Sequence, residues 1–120
     1  MEKTDAVAAL GALAQDNRLD VFRLLVRAGV KGMPAGLVAE KLGLSPNNLT
    51  FHFDRLRHAG LVTVKREGRS MIYAAKYEVM YALLSFLSEN CCAGAPPEAV
   101  AAPLKKSRFT NRSRKHAPAD

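Results

Sequence analysis

LVAEKLGLSPNNLTFHFDRLRHAGLVTVKREGRSMIYA, residues 37–74, is the stretch on which the fold turns. A short helical run ends at Leu42-Gly43, and Gly43-Leu44-Ser45 forms a tight turn. Ser45 followed by Pro46 then starts a second helix, because a serine hydroxyl caps the free N–H groups of a first turn and proline suits the first helical position. This helix is expected to run to Gly60. At about 100° per residue, Leu49, Phe53, Leu56 and Gly60 fall on one side, and Asn47, Phe51, Asp54 and His58 fall opposite. The pattern next switches to two β-rich runs, Leu61 to Glu67 and Ser70 to Ala75, joined through Gly68-Arg69 as a hairpin.

Upstream, Pro34 is expected as the first residue of the short helix, with Leu37, Val38 and Leu42 as its buried face. The run GVKGM, residues 29–33, reads as a turn. Before it, Asp16 or Asn17 caps a helix in which Leu19, Phe22, Leu25 and Val26 recur at helical spacing, and residues 6–14 form an earlier apolar helix. Downstream, Tyr77 to Glu89 carries Val79, Met80, Leu83, Leu84, Phe86 and Leu87, more apolar surface than one small core needs. A helix of that kind is expected to pack against a partner as well. The result is a mainly α fold with a β-hairpin wing, in the order α-α-α-α-β-β-α. That is a winged helix-turn-helix, whose second motif helix enters the DNA major groove.

The chain has 120 residues, enough for one compact domain, and carries 18 Lys and Arg against 11 Asp and Glu, a net charge of +7. Such an imbalance favours an anionic partner. The charge is unevenly placed: residues 1–92 carry net +3, and residues 93–120 carry net +4. The domain is therefore expected over 1–92, followed by a basic, Ala- and Pro-rich tail over 93–120 that is disordered when free. No run approaches the roughly 18 apolar residues of a membrane span, and acids stand where a signal peptide would be basic. A soluble cytoplasmic protein with no membrane partner is expected. Cys91 and Cys92 are adjacent and cannot staple a fold, so reduced thiols are the default.

Residues 9–94 resemble the arsenic-repressor (ArsR/SmtB-type) family of bacterial metalloregulators. The likeness lies in ALAQDNRLDVFRLL (12–25), in the 37–74 stretch, and in the helix leading to ENCC (89–92). Ala12-Leu13-Ala14 and Arg18-Leu19 hold the places of the family's ALA…R…IL pattern. Thr50 and His52 stand where its S-x-H-L-x-x-L-x-x-A-G-L-V pattern has Ser and His. The resemblance implies a homodimeric repressor that binds double-stranded operator DNA.

The residues argue for DNA on their own account. Asn47 and Asn48 lie in the first turn of the motif helix, where an amide can pair with adenine or bond a phosphate, and Thr50 can do either. Phe51 faces outward and either meets a thymine methyl or packs on a neighbouring loop. Arg55 and Arg57 can approach phosphates, while Lys65, Arg66 and Arg69 surround the wing tip. With Ser45 at the helix start, these are the candidate DNA contacts. His52, at the edge of the buried face, is expected to be a hydrogen-bonded structural residue, and His58 to be solvated. A zinc or nickel site of the family's kind needs His near the end of the last helix, and Tyr77 to Asn90 contains none.

Vicinal thiols past that helix suit a soft, thiophilic ion, which makes Cys91 and Cys92 the candidate metalloid ligands. Trivalent arsenic or antimony favours three sulfurs, and the chain has two cysteines, which departs from the family's three-cysteine sites. A small thiol or hydroxide, the partner subunit's cysteine, or the carbon of an organoarsenical such as methylarsenite would complete the set. No cofactor is required; arsenite, antimonite or methylarsenite would be the effector. Oxidation of the same pair is the alternative, giving a redox-responsive regulator. A thiol enzyme such as an arsenate reductase is not expected, because neither an anion-binding loop nor an acid–base pair accompanies the cysteines.

Overall fold

In the computed structural model, which describes residues 1–95, five helices and three strands follow one another along the chain. They are α1 (Lys3–Leu13), α2 (Asp16–Ala28), β1 (Met33–Pro34), α3 (Ala35–Leu42), α4 (Pro46–His58), β2 (Val62–Glu67), β3 (Ser70–Ala75) and α5 (Tyr77–Leu87). A winged helix-turn-helix results, with α3 and α4 as the motif helices and β2–β3 as the wing. The compact body spans Met1–Leu87, and Ser88 begins a separate unit. The tail expected over 93–120 lies outside the described residues except for its first three.

The core forms where the apolar stripes of the helices converge on the base of the hairpin. Val21, Leu25, Val38, Phe53, Leu56 and Leu61 are its largest fully buried side chains. Alanines supply the face of α1, with Ala6, Ala9 and Ala12 buried, so this helix can approach its neighbours closely. Phe53 of α4 stacks on Tyr73 of β3 with ring centroids 3.6 Å apart and planes 3° from parallel. That stack fastens the motif helix to the wing, a contact worth about 0.5–1.5 kcal/mol beyond the burial of the rings. At the other end of the body, the Tyr77 hydroxyl donates to the Val26 carbonyl at 2.8 Å and ties α5 to α2.

Several local expectations are corrected. The cap of α2 is Gln15, whose side-chain oxygen accepts from the Arg18 amide, so Asp16 is already helical. Pro34 is not the first residue of α3 but its N-cap, because Met33 and Pro34 pair with Tyr73 and Ile72 as a third, edge strand. The sheet order is β1-β3-β2, antiparallel throughout. Gly32 permits this pairing: its φ is 74°, and a β-carbon there would collide with the Tyr73 carbonyl. Leu37 and Leu19, expected inside, are exposed, leaving Val38 as the fully buried residue of α3. Leu37 points away because it lies on the side of α3 opposite Ala35, Val38, Ala39 and Leu42, which pack on the core.

Candidate nucleic-acid interface

Gly43 ends α3 in the left-handed conformation, φ 66° and ψ 32°, and its N–H bonds back to the Ala39 carbonyl. A side chain is disfavoured at that geometry, so glycine sets the turn that aims α4. Ser45 caps α4: its hydroxyl accepts from the Asn48 amide at 3.3 Å, with Pro46 in the first turn. The cap positions the amide side chains of Asn47 and Asn48, both exposed, beside the helix N-terminus. There the unpaired backbone N–H groups and the helix dipole attract anionic oxygen.

Further along α4, Thr50 is exposed, and its hydroxyl donates to the Pro46 carbonyl at 3.0 Å, which leaves its oxygen lone pairs outward. Phe51 is 56% exposed on the same outward surface. The Arg55 guanidinium lies 5.8 Å from its ring centroid, a cation of its own helix beside the ring. Asn48, Phe51 and Arg55 follow one another at helical spacing and make one stripe. Arg57 lies off it, beside Thr50's stripe, and forms an exposed ion pair with Asp54 at 3.6 Å. The structure thus gathers Ser45, Asn47, Asn48, Thr50, Phe51, Arg55 and Arg57 on the open side of one helix.

Lys65, Arg66 and Arg69 are exposed at the end of the hairpin. Lys65 pairs with Glu67 at 3.0 Å, and the Arg66 Nε–H donates to the Gly68 carbonyl at 3.2 Å, which stiffens the tip.

Behind α4 lies a residue pair whose joint role the sequence reading missed. Arg18 is 8% exposed, and its Nε–H donates to the Ala12 carbonyl at 2.6 Å, joining α2 to the end of α1. Its place one turn before Phe22, in the buried stripe of α2, was the available signal. His52 is also buried, and its Nδ1 has no hydrogen-bond partner. Burial and, secondarily, the Arg18 charge hold the His52 imidazole below its ordinary pKa. Tyr73 behaves in the opposite sense: burial and the Asp54 carboxylate push its phenol up, partly offset by Arg57.

Cys91 and Cys92 lie in a short 3-10 segment, Cys91–Gly94, in which Cys92 and Ala93 have left-handed backbones. The two sulfurs lie side by side, close enough to take one thiophilic ion or to be oxidised as a pair. Among the described residues, no three His, Cys, Asp or Glu side chains gather as a metal site, and no helix is long and apolar enough to cross a membrane.

A family profile described as a helix-turn-helix domain matches residues 13–65. HlyU from Vibrio cholerae is 33% identical, over 72% of this chain and 97% of that one, with a TM-score of 0.59. A homodimeric winged helix-turn-helix domain from Mycobacterium bovis, described as a possible ArsR-family regulator, superposes with a TM-score of 0.59 over 72% of this chain and 81% of that one. At 22% identity it speaks for the fold alone. The chain belongs to the ArsR/SmtB-type family of transcriptional regulators. Its ArsR-type helix-turn-helix also matches the nodulation protein NolR of Rhizobium meliloti, 31% identical over 84 residues. That alignment covers 70% of this chain and 66% of NolR, just under two thirds of the relative's length. HlyU is described as a transcriptional activator, and one of its solved forms as reduced.

Proposed function

We propose that this protein is a transcriptional repressor that binds operator DNA as a homodimer and lets go when trivalent arsenic is captured by Cys91 and Cys92. The observation that carries the DNA half is the open side of α4. There, Asn47, Asn48, Thr50, Phe51 and Arg55 stand outward on a helix fixed by the Ser45 cap, the Gly43 turn and the Phe53–Tyr73 stack. A helix so presented can read base edges through its amides and a thymine methyl through Phe51, while Arg55, Arg57 and the wing cations meet phosphates. Val7, Leu10, Tyr81, Leu84 and Leu87 leave apolar surface exposed on α1 and α5, which supports a second copy as partner. Two such helices held one DNA turn apart would match an inverted repeat.

In the effector half, two thiols displace two hydroxides of arsenous acid as water, leaving one hydroxide on arsenic; methylarsenite needs no third protein ligand. Binding restrains the chain directly after α5 and alters the dimer, and the coupling is reciprocal: operator DNA weakens arsenic capture by the same factor. A second reading is favoured by the adjacency of the two sulfurs. Oxidation and reduction of Cys91 and Cys92 would then be the signal, as suits kinship with a protein solved in a reduced form.

The test uses DNA obtained by in vitro binding-site selection with the reduced full chain. Arsenite, antimonite, methylarsenite and peroxide are each titrated against the complex. Release by the arsenicals, lost in Cys91→Ser/Cys92→Ser while DNA binding is kept, supports the first reading. Release by peroxide alone supports the second, and release from the double-serine protein sinks both.

A further inference from the structure

Phe51 is the one large apolar side chain exposed on α4, where its neighbours on the open side are amides, a hydroxyl and guanidiniums. It takes no part in the core. Its ring is nonetheless held in place. The Arg55 guanidinium stands over it at 5.8 Å from the centroid, and the buried His52 ring meets it at 63°, with centroids 5.8 Å apart. A ring anchored from two sides loses little freedom when it makes a further contact. Arg55 can hold the ring and a phosphate together, because a guanidinium offers a flat face to the ring and its N–H edge to oxygen.

A phenyl ring has neither donor nor acceptor for a base edge, so it gains from the major groove by covering apolar surface. Among the base edges that surface is the C5 methyl of thymine; the rest of the edge carries the donor and acceptor code. Cytosine methylated at C5 bears the same group at the same place, although an amine replaces the thymine O4. We propose that Phe51 reads the C5 methyl of a pyrimidine and not the base that bears it, so that 5-methylcytosine substitutes for thymine and methylation of cytosine at that position strengthens binding. The proposal rests on the reading of α4 as the DNA-contacting helix and adds to it a response to the methylation state of the DNA. The polar side chains of α4 lack this property, because the amides of Asn47 and Asn48 and the hydroxyl of Thr50 answer to donors and acceptors.

The experiment uses the reduced full chain and the duplex it selects in vitro. Each thymine is replaced in turn by deoxyuridine, which removes the methyl and keeps every hydrogen-bonding group. At one thymine in each half-site the change is expected to weaken binding about fourfold, the value of burying one methyl group, and about fifteenfold when both half-sites are changed. At that position 5-methylcytosine, with guanine opposite, should bind about fourfold more tightly than cytosine. Phe51→Ala should weaken binding to the selected duplex and make thymine equal to uracil and 5-methylcytosine equal to cytosine. A selected duplex with no methyl-sensitive thymine overturns the proposal and leaves DNA binding by α4 standing. Sensitivity that persists in Phe51→Ala overturns it too, since another residue then reads the methyl, as does 5-methylcytosine binding no better than cytosine. If no preferred sequence can be selected at all, the DNA reading itself fails and this proposal falls with it.

Discussion

His52 and Ser45 show how single residues set the motif helix. His52 is buried beside Arg18 and is held below its ordinary pKa of 6.5, so the folded chain keeps the ring neutral at pH values where the unfolded chain protonates it. Below that value the unfolded state binds more protons, and stability falls with pH. Its contribution is complete above pH 6.5 and is lost on descending through the lowered folded pKa. Urea midpoints measured from pH 8 to 5 should decline below about 6.5, and His52→Gln should flatten this part of the profile; an unchanged slope would show that other groups govern it. Ser45 acts through its cap. The bond to Asn48 is long and exposed, so Ser45→Ala should destabilise at the low end of the usual range, about 0.5–1 kcal/mol, with Ser45→Asp retaining the cap. Urea denaturation of both variants checks this.

At the scale of elements, the proposed function divides recognition between α4 and the wing. On the proposed function Asn47 and Asn48 would offer their amides to the bases, so alanine at either should cost about 1–3 kcal/mol on the selected sequence and relax preference at one position. The wing presents cations. Replacing Lys65, Arg66 and Arg69 by alanine should weaken binding to all sequences alike and make the dependence of log K on log salt shallower by up to about one per lost phosphate contact. Lys65 is already paired with Glu67, so its share is the smallest of the three. Affinities measured on selected and scrambled duplexes at several salt concentrations separate the two classes. Helix α4 and the hairpin were legible in advance because cap, proline, periodicity and glycine turn agree at each end. The strand β1 was not: two residues carry no periodicity, and Met33 and Pro34 become a strand only once β3 lies beside them. Arg18 was passed over because a charged residue in a buried stripe declares its role only through the Ala12 carbonyl it bonds.

For the whole molecule, the basic balance of the chain is not the basis of recognition. Residues 1–92 carry net +3 and residues 93–120 net +4, so most of the excess lies beyond the residues that place α4 and the wing. Phosphate contacts carry no sequence information of their own, yet each phosphate a cation neutralises releases counterions and steepens the salt dependence. Removing residues 95–120 should therefore leave the ratio of affinities for selected and scrambled DNA intact and lower both affinities at low salt. The slope of log K against log salt should become shallower by about 0.9 for every tail cation that had met a phosphate. The measurement is fluorescence anisotropy of both duplexes from low to moderate salt, with the truncated and full chains side by side. A collapse of the ratio would place specificity in the tail, and an unchanged slope would show that its cations never reach the DNA.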